Sequence, residues 1–225
     1  MTVVAFDFDG TLSDSEMTVL LGDRYGVADQ MEEITERAMN DEIDYATSLR
    51  ERAALLEDLP EDDVRAAFDE VVLRSDAADL IAALRTAGVH VAILTGGFER
   101  GVEAALEKEG VSVDSIVANR LPMEGDARRA SGDASGQRPR ALTGEVEGPL
   151  IEGTKDDALE SLADDLSVAM ADTIAVGDGA NDLPMLQVAG QAVGFEPKDA
   201  VRPHCDVVVT RMDRLQSLLE EDGVL

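Results

Sequence analysis

Four short segments carry residues whose types and spacing suit chemistry. The first is Asp7-Phe8-Asp9-Gly10-Thr11-Leu12, two acids two apart directly after an apolar run. Paired carboxylates at a strand end are costly unless a cation or a substrate uses them, and Gly10 lets the chain turn. The second is Leu94-Thr95-Gly96-Gly97, a hydroxyl followed by amides without side chains. At the start of a helix that pattern suits an anion such as phosphate. The third is Lys155, near a predicted helix start and one of only three lysines. The fourth is Gly177-Asp178-Gly179-Ala180-Asn181-Asp182, which lacks the third glycine of a dinucleotide fingerprint. Each alone is compatible with a turn, a helix cap or a surface residue. What distinguishes them is that all four stand at or near the carboxyl ends of predicted strands, where an open α/β sheet binds its ligands.

The elements that must position these segments alternate. A buried strand covers residues 2–8, and after Asp76 the pattern runs helix (76–87), strand (89–94), helix (98–109) and strand (116–118). Helix (154–165), strand (173–177), helix (180–188), strands (191–195 and 206–209) and a terminal helix follow. Nearly continuous apolar strands alternating with helices predict a Rossmann-like parallel sheet with helices on both faces. Residues 15–74 differ: they hold helical patterns and no alternating strand, with Leu49, Ala53 and Leu56 at helical spacing and a fresh start at Pro60-Glu61-Asp62-Asp63. The division expected is a core of residues 1–14 and 75–225 with an all-helical insert over 15–74. Residues 125–141, rich in Gly, Ser and Arg without apolar period, are expected to form a flexible loop inserted in the core.

The chain has 225 residues and a formal net charge of −29, from 48 acids against 19 Lys and Arg. A charge of that sign disfavours nucleic-acid and anionic-membrane binding, which need a basic face. No apolar run approaches the roughly 18 residues of a membrane span. There is no basic segment followed by an apolar core at the N-terminus, and Cys205 has no internal partner, so a cytoplasmic location is the expectation. A small domain ordinarily carries a net charge of about 2–8 in magnitude. The acids are spread over the whole length, which reads as adaptation to a saline cytoplasm. A monomer and a homodimer are both compatible with the chain.

Taken in order, the motifs resemble those of haloacid-dehalogenase-superfamily phosphatases, and within them the phosphoserine phosphatase family. Asp-Phe-Asp-Gly-Thr-Leu is similar to that superfamily's first motif, Leu-Thr-Gly-Gly-Phe to the second, Lys155 to the third and Gly-Asp-Gly-Ala-Asn-Asp-Leu-Pro-Met-Leu to the fourth. Segments Ile34–Met39, Ser48–Arg52 and Leu55–Pro60 resemble the family's helical cap. The resemblance implies a Mg²⁺-dependent hydrolysis of a small phosphomonoester, O-phosphoserine, with Asp7 as nucleophile and Asp9 as general acid and base. It implies metal ligation by Asp7, Asp178 and the backbone carbonyl of Asp9, with Asp182 orienting the metal's waters from behind. It implies phosphate contacts from Thr95, Gly96, Lys155 and Asn181, and cap contacts from Glu16, Met39, Tyr45 and Arg52, Glu16 and Arg52 facing the ammonium and carboxylate of the substrate. Gly97 would help shape the phosphate loop. Thr95 replaces the family's frequent Ser, Gly10 another Ser, and Tyr45 a frequent Phe. Hydrolysis or transfer on another small phosphomonoester is the alternative. A phospho-accepting signalling receiver fits less well, because Asp7 lies on the first strand and Asp9 supplies a general acid. His90 and His204 stand away from every motif and are expected to be structural.

Overall fold

The computed structural model describes residues 1–40, 42–125 and 140–225, without the side chain of Met39. Most of the expected 125–141 loop and the expected Met39 contact therefore lie outside the described residues.

Six parallel strands form one sheet in the order β3-β2-β1-β4-β5-β6. They are β1 (Val3–Phe6), β2 (His90–Phe98), β3 (Ser115–Asn119), β4 (Thr173–Gly177), β5 (Gln191–Phe195) and β6 (Val207–Val209). β1 lies in the middle, its four residues all buried. Its side chains divide by strand alternation: Val4 and Phe6 join one core cluster, Val3 and Ala5 the other. Ile93 and Ala92 on β2, and Val176 and Ala175 on β4, divide the same way. Apolar residues on both faces leave the sheet no solvated side, so helices must cover both. α5 (Ala77–Thr86), α6 (Glu99–Glu109) and α9 (Met212–Glu221) contribute to the first cluster. α7 (Lys155–Leu166) and α8 (Leu183–Val188) contribute to the second.

Between β1 and α5 the chain forms four helices: α1 (Met17–Tyr25), α2 (Ala28–Met39), α3 (Tyr45–Ala54) and α4 (Glu61–Phe68). Asp44 caps α3 by accepting from the Thr47 amide at 2.7 Å. Three acids open α4, where they complement the positive end of the helix. The inner faces of these helices (Met17, Leu21, Leu49, Val64 and Phe68) belong to the same apolar cluster as β1 and β2, so the insert is packed on the sheet domain.

Two expectations need correction. The second motif does not open a helix directly. β2 continues through Thr95, Gly96 and Gly97 to Phe98, with a register shift against β3 between Thr95 and Phe98, and α6 begins only at Glu99. Residues 180–188 are not one helix: Ala180–Asp182 form a 3₁₀ turn, and Pro184 sits in the first turn of the α-helix that follows.

Candidate active site

In the sheet order, the neighbours of β1 are β2 and β4, and the four motifs leave these strands or lie beside their ends. Asp7 follows the last residue of β1, and its amide continues the ladder by donating to Val176 O at 2.8 Å. Its carboxylate is thus fixed beside the end of β4, where Asp178 begins the fourth motif. The chain then turns at Gly10, in the left-handed region at φ +84°. A Cβ there would stand 2.6 Å from Asp178 Oδ1, so glycine serves both the turn and the close approach. Thr11 Oγ1 donates to Asp178 Oδ1 at 3.3 Å.

Lys155 is the first residue of α7 and only 1% exposed. Its Nζ donates to Asp7 Oδ1 and Asp182 Oδ1, both at 2.6 Å. The second oxygen of Asp182 accepts from the amides of Asp178 and Gly179, both at 2.9 Å. Asp182 is fully buried and both of its oxygens accept hydrogen bonds, which suits it to orienting its neighbours. Asp7, Asp178 and Asp182 bring one oxygen each within 4.8 Å of one another. A cluster of carboxylate oxygens with one ammonium among them suits a hard divalent cation.

The electrostatics follow from crowding. Burial, and then the neighbouring Asp182 charge, push the Asp7 carboxyl up to about 7 against the pull of Lys155. Burial, followed by Glu16 and Asp7, holds the Asp9 carboxyl well above the ordinary carboxylate range. Asp9 Oδ1 is buried without a hydrogen-bond partner among the described residues, while Oδ2 accepts from the Met17 amide at 3.4 Å. Burial works against the Lys155 charge, but Asp182 and Asp7 more than offset it and hold the ammonium above its usual range.

The remaining expected residues converge on the same place. Thr95 is buried, and its Oγ1 accepts from the Gly97 amide at 3.0 Å. Gly97 lies against Asp9: a Cβ on it would stand 3.1 Å from Asp9 Oδ2. Any Cβ on Gly96 would collide with the Tyr45 hydroxyl, which brings α3 directly over the second motif. Arg52, on α3, donates from Nε to Ser48 O at 3.3 Å and from Nη1 to Thr18 Oγ1 at 3.2 Å. Burial lowers the Arg52 pKa, against the opposing pull of Tyr45, Glu16 and Asp9. Glu16 stands at the N-cap of α1. Asn181 folds over Gly179, its Oδ1 2.5 Å from where a Cβ would be. His90 is elsewhere, paired with Ser115 Oγ at 2.9 Å, and His204 lies in a 3₁₀ turn.

Three residues near the site carried no motif signal. Buried Asn119, at the end of β3, donates to Gly96 O at 3.0 Å and accepts from the Leu150 amide at 3.0 Å. Lys198 places Nζ 3.6 Å from Asp178 Oδ2; its rarity as a lysine was the available clue. Arg74 reaches Gly10 O with Nη2 at 3.1 Å.

Comparison with known proteins decides the family. Residues 4–187 match the model of haloacid dehalogenase-like hydrolases. The chain belongs to that family. It is 50% identical over 224 residues to a phosphoserine phosphatase of Halobacterium salinarum, covering 100% of both chains. It is 34% identical to a phosphoserine phosphatase of Methanocaldococcus jannaschii, covering 94% of this chain and 93% of that one. Among solved structures, a substrate-bound phosphoserine phosphatase complex superposes with a TM-score of 0.82 at 32% identity, covering 98% of this chain and 97% of that one. Within the haloacid dehalogenase-like hydrolases, the chain therefore stands among the phosphoserine phosphatases. The helical insert between β1 and α5 is part of that shared architecture. Among the described residues, no helix is long and apolar enough to cross a membrane.

Proposed function

We propose that this chain hydrolyses O-phospho-L-serine to L-serine and phosphate through an aspartyl phosphate on Asp7, as the last step of serine biosynthesis in the cytoplasm. The observation that carries the reading is the placement of Lys155 between Asp7 and Asp182, with Asp9 alongside and its Oδ1 without a hydrogen-bond partner among the described residues. A solved relative supports it: the structure of a phospho-aspartyl intermediate analogue of phosphoserine phosphatase is 32% identical, with a TM-score of 0.81.

The chemistry follows residue by residue. The Asp7 carboxylate attacks phosphorus, a P–O bond to Asp7 forms, and the P–O bond to the serine oxygen breaks. Asp9 gives that oxygen its proton. Water then attacks the aspartyl phosphate, Asp9 takes the water's proton, and the P–O bond to Asp7 breaks to restore the carboxylate. An acid held well above its ordinary range suits this two-way traffic. Lys155, Thr95, the Gly96 amide and Asn181 would hold phosphate oxygens. Mg²⁺, held by Asp7, Asp178 and the Asp9 carbonyl, would offset the repulsion between the carboxylates and the phosphate. The clustered oxygens of Asp7 and Asp178 fit such an ion. Residues 15–74 would act as a cap over the core of residues 1–14 and 75–225, with Glu16 and Arg52 complementing the ammonium and carboxylate of the substrate.

The test is phosphate release from L-phosphoserine against a panel of small phosphomonoesters, with Mg²⁺ in molar KCl. A strong preference for phosphoserine that EDTA abolishes supports the reading. Activity spread over the panel, or highest on another ester, rejects the cap assignment.

A further inference from the structure

The two crossings between the helical insert and the sheet domain run side by side. Ser13 bridges to Leu73, Ser13 Oγ donates to Val72 O at 2.7 Å, and the Val72 amide donates to Ser15 Oγ at 3.3 Å. Arg74 is the next residue on the returning crossing, and its amide donates to Leu12 O at 2.8 Å. Its side chain then spans two strand ends. Nη2 donates to Gly10 O at 3.1 Å, in the turn immediately after Asp9. Nη1 pairs with Glu196 Oε2 at 3.2 Å, and the guanidinium lies over the Phe195 ring, 5.1 Å from its centroid. The Arg74 side chain is only 25% exposed, and Glu196 holds a left-handed backbone at φ +43° directly after β5. The Glu196 amide is itself tied to Val209 O at 2.8 Å.

We infer that Arg74 is a positioning residue: it fixes the Asp9-Gly10 turn against the end of β5 and couples that turn to the root of the helical insert. Three features carry this. The turn it grips is the one whose glycine already touches Asp178, so there is little room for it to shift. A planar fork reaches two acceptors at once while stacking on a ring, which a lysine cannot do. Its side-chain contacts are Gly10 O, Glu196 and the Phe195 ring, so Arg74 acts on Asp9 through the turn that follows it and touches neither reacting carboxylate. The inference rests on the reading of Asp7 and Asp9 as the reacting carboxylates. A displacement of about 1 Å in such a group costs roughly 100-fold in rate.

The test compares Arg74→Met, Arg74→Lys and the parent enzyme with Mg²⁺, using both L-phosphoserine and p-nitrophenyl phosphate, with rates per folded molecule. The expected result is a loss of about 10- to 100-fold in kcat on both substrates for Arg74→Met, with KM changed less than about twofold. Arg74→Lys should recover part of kcat, since its single ammonium can still reach one of the two acceptors. An unchanged kcat, or a loss confined to KM, overturns the inference, as does Arg74→Lys no better than Arg74→Met. Should Arg74→Met not fold, Glu196→Gln at the half-exposed end of the pair serves instead. It should lower kcat a few-fold, and an unchanged kcat overturns the inference. The aryl phosphate keeps this outcome separate from the choice of substrate: a parent enzyme that ignores phosphoserine refutes the proposed function, while the Arg74 comparison still reads.

Discussion

The centre of the site is a charge problem in which one buried lysine faces several acids. Asp7, Asp178 and Asp182 crowd their oxygens within 4.8 Å; Lys155 bonds to Asp7 and Asp182, and the more exposed Lys198 pairs with Asp178 at 3.6 Å. Asp7→Asn keeps the shape and one acceptor but removes the nucleophile. We expect it to abolish phosphate release while leaving the fold intact by circular dichroism. Substantial residual turnover would refute the covalent route. Arg52 poses a different question, because it lies on the insert and touches Thr18 and Ser48 rather than the carboxylate cluster. If it reads the substrate's carboxylate, Arg52→Ala should cost about 10- to 100-fold in kcat/KM on phosphoserine, the range for a lost charge-assisted bond. The loss on p-nitrophenyl phosphate, which lacks that carboxylate, should be several-fold smaller. Equal losses on both would remove the specificity role. Arg52 stood out only through the resemblance of its segment to the family's cap, whereas the positions of Asp7, Lys155, Asp178 and Asp182 near one another were legible in the sequence because each sits in a motif at or near a strand end. Asn119, Arg74 and Lys198 were not: their partners are the carbonyls and carboxylates of distant segments, and nothing local marks them.

At the level of elements, the insert and the sheet domain meet through packing as well as through the crossings. Phe68 at the end of α4 is 3% exposed and sits 6.4 Å from Phe98, ring to ring, at the point where β2 ends. Phe68→Ala should therefore destabilise the protein by about 3–5 kcal/mol, the usual cost of emptying a buried aromatic site. Denaturant unfolding followed by circular dichroism would measure it, and a change below about 1 kcal/mol would mean that α4 is not anchored there. A second fastening joins the α3–α4 connection to the core: Leu142 N donates to Leu59 O at 2.9 Å, Asp58 N to Leu142 O at 3.0 Å, and Glu61 accepts from Arg140 Nη1 at 2.9 Å. The alternation of strands and helices could be read from apolar periodicity, since the central strands β1 and β4 are buried along their whole length and read as nearly continuous apolar runs. This fastening could not, because isolated bridges between segments some 80 residues apart leave no period. The extension of β2 through two glycines was hidden for a related reason. Glycine signals a turn locally, whereas the chain here stays extended, with Phe98 resuming the pairing with Asn119 and the Asn119 side chain donating to Gly96 O.

For the molecule as a whole, the dominant quantity is the excess of 29 negative charges. The surface ion pairs do little to offset it. Arg65–Asp62 and Arg211–Asp213, for example, join side chains that are 44% or more exposed, and such pairs contribute about 0–1 kcal/mol each. The excess therefore acts as general self-repulsion, which opposes the compact state. Screening acts on the two contributions unequally. Added salt weakens a few exposed attractions but relieves a much larger number of repulsions spread over the surface. The screening length falls from about 30 Å at 0.01 M to about 10 Å at 0.1 M and about 3 Å at 1 M. The melting temperature should accordingly rise from dilute buffer to molar KCl, with most of the gain below about 0.5 M, where that length changes fastest. The scans are best made in EDTA, so that occupancy of the carboxylate cluster stays constant and the gain reports the surface alone. Equal melting temperatures in dilute buffer and in molar KCl would show that the acids are already accommodated by the fold, and that the composition is not an adaptation to salt.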